Sequence, residues 1–131
     1  MPPPSPAPGT PLEWLNRAKG KLALANEPLP QGAFWEDLCY LSQQAAELGI
    51  KSVYQVHGWI FPFVHNLGVL LDGLESHGLT IPPDVQVSDR LSVYAVQTRY
   101  PGPASPVTEA EFRESRQVAE AVVAWAQSFL P

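Results

Sequence analysis

Few side chains in this sequence are equipped for chemistry, and the most suggestive of them lie between Gln43 and Tyr100. Glu47 and Lys51 stand at i and i+4, the order in which an ion pair supports a helix. Gln43 and Gln44 precede them by one turn, giving a polar strip suited to a ligand or a second subunit. His65 follows Pro62 near an expected helix start, where backbone amides favour an anion and an imidazole adds a donor beside them; a cap or a loop hydrogen bond is the alternative. Arg99 and Tyr100, in the stretch QTRYPG, close a helical segment. The guanidinium suits the negative end of a helix dipole or a bound anion, and Pro101 holds the tyrosine extended, aiming its ring back across the fold.

The remaining candidates read as structural. His57 and His77 each precede a glycine, as residues at helix C-termini do, and separations of eight and twelve residues put no two histidines on one helical face. No metal site of histidines is therefore expected. Cys39 is the single cysteine, so an intramolecular disulfide and a zinc cluster are both excluded; in an apolar helical segment it reads as a packed small hydrophobe. There is no Walker loop, dinucleotide fingerprint, nucleophile elbow or His-Glu-x-x-His pair, and no cofactor is implied.

These residues need elements to position them, and fifteen prolines mark where the elements stop. Proline lacks an amide donor and collides with the preceding turn, so it falls at helix borders or first turns. Five proline-free segments result. Thr10 caps the first ahead of Pro11, with Leu15, Ala18, Leu22 and Ala25 on one face. The second carries Phe34, Leu38, Leu41, Ala45 and Leu48; further apolar residues off that stripe make it the central helix, covered on more than one side. The third places Phe63, Leu67, Leu70, Leu71 and Leu74 together, and the fourth Val87, Leu91, Tyr94, Ala95 and Thr98. Thr108 and Glu111 form a capping box for the last, which runs through Phe112, Ala119, Val122, Val123, Ala126 and Leu130. No strand-like alternation is present. The expected fold is all-α, an up-and-down antiparallel bundle of four to five helices over residues 10–131, behind a disordered proline-rich leader at 1–9.

Composition narrows the function classes. Of 131 residues 45% are hydrophobic and 16% charged, which describes one compact domain. A net charge of -5 with only eight Lys and Arg excludes an extended nucleic-acid surface. No segment has the apolar length of a membrane span, and MPPPSPAPG is not a signal sequence, so a cytoplasmic protein with no membrane partner is expected.

The chain resembles the higher eukaryote and prokaryote nucleotide-binding (HEPN) family. The resemblance rests on SQQAAELGIKSVY at 42–54, FPFVHNLGVLLDGLESHG at 61–78 and RYPG at 99–102, which follow the family's order and spacing. It implies a helical bundle that forms a homodimer and is paired with a minimal nucleotidyltransferase in a module of toxin–antitoxin type. It also implies a nucleotide ligand: Lys51 and Arg99 on phosphate, His65 as a donor, Tyr100 stacked on a base or on the partner, and Gln44 and Glu47 completing the polar surface. Leu48 and Asn66 stand where the family more often has lysine and aspartate. The resemblance also implies that several branches are metal-independent ribonucleases, marked by an arginine followed, after four to six residues, by a histidine in a late helix. Here no histidine follows Arg90, Arg99, Arg113 or Arg116, since His77 is the last. The expectation is a non-catalytic binding subunit; the alternative is an RNA-cleaving toxin with an atypical site built from His65 and Arg99 in a dimer groove.

Overall fold

The computed structural model describes residues 9–96 and 106–131. Within them every regular element is helical: α1 (Pro11–Ala25), α2 (Trp35–His57), α3 (Leu67–Ser76), α4 (Pro83–Gln86), a 3₁₀ turn (Val87–Ser92), α5 (Val93–Val96) and α6 (Glu109–Gln127). The all-α expectation holds. Of the segment read as a leader, residues 1–8 lie outside the described residues.

Local chemistry sets the helix ends where the sequence indicated. Thr10 Oγ1 accepts from the Glu13 amide at 3.3 Å, with Pro11 at the first helical position. Thr108 and Glu111 make the reciprocal capping box, at 3.1 Å to the Glu111 amide and 3.3 Å back to the Thr108 amide. Gly58, at φ 72°, takes the left-handed conformation that ends α2 and turns the chain towards Trp59.

As expected, α2 is the central helix. It packs against α1, α3, α5, α6 and the 3₁₀ turn, and its buried residues include Leu38, Ala45, Ala46, Ile50, Val53 and Tyr54. Helix α3 has only ten residues, marginal alone, but it buries Leu67, Leu70, Leu71 and Leu74 completely. Each contributes about 1.5–3 kcal/mol on transfer from water. Its docking on α2 is close: Tyr54 Oη donates to the Leu70 carbonyl at 2.6 Å, and a Cβ on Gly73 would collide with that hydroxyl.

Two expectations about the elements are corrected. The fourth segment is not one α-helix: buried Val85, Ser88, Leu91 and Tyr94 recur every third residue, the period of a 3₁₀ turn, and only short α pieces flank it. Thr98 lies outside the described residues. Phe63 is not on the inner face of the third helix. It precedes α3 in the connecting loop and is 93% exposed, while Phe34 sits at the N-cap of α2 at 66%. No described helix is long and apolar enough to cross a membrane.

Candidate functional site

Gln43, Glu47 and Lys51 recur at i, i+4 and i+8 on α2 and so share one face of it, buried to 1%, 8% and 7% exposure. The Lys51 ammonium donates to Glu47 Oε2 at 2.9 Å and the Gln43 amide to Glu47 Oε1 at 2.9 Å. The same Gln43 amide reaches the His65 carbonyl at 3.3 Å, fixing the loop that precedes α3. His65 then turns back: its Nδ1 lies 3.1 and 3.0 Å from the two carboxylate oxygens, while its side chain is 73% exposed. Phe61 closes the cluster from the loop side, its ring centroid 4.9 Å from Lys51 Nζ and in edge contact with Trp14 and Tyr54.

Burial by itself would raise the Glu47 carboxyl. Hydrogen bonds from Lys51, Gln43 and His65, with the Lys51 charge, outweigh it and hold the group below its ordinary value, so it is a carboxylate. A carboxylate accepts only, hence His65 Nδ1 must carry the hydrogen it shares with Glu47. In the neutral imidazole this leaves a lone pair on Nε2 of a largely exposed side chain. The arrangement can hold a ligand donor at Nε2 or move a proton there.

Of the residues singled out from sequence, Glu47, Lys51 and His65 are brought together. Lys51 is bound to Glu47 rather than facing solvent, which makes it the counter-charge of the site. Gln44 is not in the cluster: it donates to Tyr40 Oη at 2.7 Å on a neighbouring face, so the glutamine strip divides in two. Arg99 and Tyr100 lie outside the described residues. The backbone amides at the start of α3 are largely engaged by the protein itself, Leu67 by Ser92 Oγ at 2.8 Å and Val69 by Asn66 Oδ1 at 3.1 Å. Gln43, read from sequence only as part of a polar strip, and Phe61 complete the site. The i+4 spacing of Gln43 to Glu47 was the available signal for the first; a loop aromatic has no periodicity to betray it.

The other histidines have a different use. His57 and His77 stack on opposite faces of Trp59, at 4.3 and 4.2 Å between ring centroids and nearly parallel, tying the end of α2 to the end of α3. His57 Nδ1 also bonds the Val53 carbonyl at 2.8 Å. No cluster of potential metal ligands occurs among the described residues. Cys39 is fully buried against Ser115, 3.9 Å away, and burial pushes its thiol up to about 11.

An all-helical domain whose central helix carries a buried carboxylate holding an exposed histidine is thus the class defined by fold and site. The family model for the HEPN domain matches residues 12–129, and the chain belongs to the HEPN family. Among solved structures it is similar to TT1696 from Thermus thermophilus, with a TM-score of 0.80 and 28% identity over 92% of this chain and 98% of that one. It is also similar to ST0689, an archaeal HEPN homologue, with a TM-score of 0.70 and 27% identity over 91% and 96% of the two chains. No curated protein matches it.

Proposed function

We propose that this HEPN protein is a non-catalytic binding subunit that takes a nucleotide at His65, works as a homodimer in the cytoplasm, and serves a minimal nucleotidyltransferase in a toxin–antitoxin-like module. The observation that carries the nucleotide part is the His65–Glu47 contact: a buried, ionised carboxylate is committed to orienting one exposed imidazole. Burying a carboxylate is costly unless it is fully bonded, and the two supporting donors, Gln43 and Lys51, meet that need. An exposed histidine needs no such foundation for stability alone. Membership of the family supports the dimer and the transferase partner. Isothermal calorimetry with the four ribonucleoside triphosphates tests the reading: wild type binds, His65→Ala loses most of the affinity, and absence of binding by wild type removes the nucleotide claim.

The same contact favours a second reading, RNA cleavage with His65 as proton acceptor, because a carboxylate on Nδ1 is how enzymes orient a general-base imidazole. Incubation with mixed RNA in the absence of metal decides it. Equal background with wild type and His65→Ala ends the catalytic reading.

A further inference from the structure

We infer that the site reads the nucleoside half of its ligand, base and sugar, rather than the phosphates, an inference that rests on the nucleotide-binding reading above. Within the cluster the charges of Glu47 and Lys51 cancel at 2.9 Å, and the Lys51 side chain is only 9% exposed, so its ammonium is not on offer to a phosphate. The Leu67 and Val69 amides at the start of α3 already have acceptors in Ser92 and Asn66. In its neutral form His65, held through Nδ1 by Glu47, keeps a lone pair on Nε2, and a lone pair selects a donor: a sugar hydroxyl fits that form, a phosphate oxygen does not.

Two residues before His65 in the chain stands an exposed aromatic, Phe63. Phe63 is 93% exposed and Ile60 89%, an unusual cost for a loop of a soluble fold. Phe63 meets Phe61 edge-on at 5.9 Å, and the two residues line a cleft of about 330 Å³ with Trp59, Ile60, Gly58 and Gln55. A ring face for stacking and an amide for the polar edge are the two things a nucleobase takes from a protein. Phe63 and His65 are next-but-one neighbours in the chain, so their Cα atoms are at most about 7 Å apart. Val64 between them packs on the core, leaving both neighbours turned outward. Base on Phe63 and sugar hydroxyl on His65 Nε2 is the pose that this adjacency in the chain and shared exposure support.

The test is calorimetry on the intact protein with adenosine, guanosine, cytidine and uridine, their triphosphates, and inorganic triphosphate. At least one free nucleoside binds, and inorganic triphosphate fails to compete with the corresponding nucleoside triphosphate. Phe63→Ala weakens both nucleoside and nucleoside triphosphate at least about fivefold, Phe63→Tyr restores it, and circular dichroism shows both variants folded, as expected at so exposed a position. Competition by inorganic triphosphate with no nucleoside bound overturns the inference and leaves nucleotide binding standing. Nucleoside affinity unchanged in Phe63→Ala and His65→Ala also overturns it. Failure of every probe to bind wild type overturns the nucleotide reading, and this inference with it.

Discussion

Cys39 and Glu47 are two buried ionisable groups on one helix, about two turns apart, and they have been treated in opposite ways. Around Cys39 the neighbours are few and weak: Ser115 at 3.9 Å lowers the thiol less than burial raises it, and it stays protonated. Around Glu47 three donors converge, and the carboxylate stays ionised in spite of burial. Burial alone, then, does not decide the direction in which a group is pushed from its ordinary value; the donors brought to it do. The contrast also separates packing from function. A neutral thiol needs nothing from its surroundings, whereas the Glu47 arrangement recruits Gln43, Lys51 and a loop to present one exposed ring.

Breaking the two regions should therefore cost different amounts. Lys51→Met leaves Glu47 buried without its counter-charge and is expected to destabilise by about 3–5 kcal/mol in urea unfolding, most of it regained in Glu47→Leu/Lys51→Met. Gly73→Ala forces α3 away from Tyr54 and should cost about 1–3 kcal/mol, with partial recovery when Tyr54→Phe removes the hydroxyl. Because His65 lies in the loop that leads into α3, Gly73→Ala lowers ligand affinity while leaving Cys39 as slow towards thiol reagents as in wild type. Cys39→Ala removes one buried atom and strands no charge; about 1 kcal/mol is expected, well below the Lys51 effect.

The pH profile separates the two further, since they act on opposite limbs. The folded value of Glu47 is depressed, so its contribution is full above the ordinary 4.5 and is lost as pH falls through that lowered value. The folded value of Cys39 is raised, so its contribution is full below 9.0 and is lost as pH rises through about 11. Stability measured against pH should lose part of its acid limb in Glu47→Gln and part of its alkaline limb in Cys39→Ala.

Much of this is legible in the sequence, for reasons that differ by residue. Helices α1, α2, α3 and α6 follow from prolines, caps and apolar stripes because those signals are local. The 3₁₀ turn escapes such a reading because Val87, Leu91, Tyr94 and Ala95 fit a 3.6-residue stripe while the residues that pack, Val85, Ser88, Leu91 and Tyr94, fit a period of three. Phe63 reads as inward because an apolar residue one turn before Leu67 continues the stripe; Asn66 caps α3 and ends it there. At the site, Glu47 with Lys51 can be read from spacing, but the approach of His65 to Glu47 joins α2 to a loop, and no local pattern encodes that meeting.

Glu47 holds the hydrogen-bearing Nδ1 of His65, and the nucleotide and catalytic readings above depend on that hydrogen. Long-range ¹H–¹⁵N correlation spectra of the ¹⁵N-labelled protein, recorded where the imidazole is neutral, read that atom directly. Wild type should show His65 with its hydrogen on Nδ1, and Glu47→Ala should release it to a mixture of tautomers. A wild-type His65 carrying its hydrogen on Nε2, or one whose spectrum is indifferent to Glu47, would contradict the account.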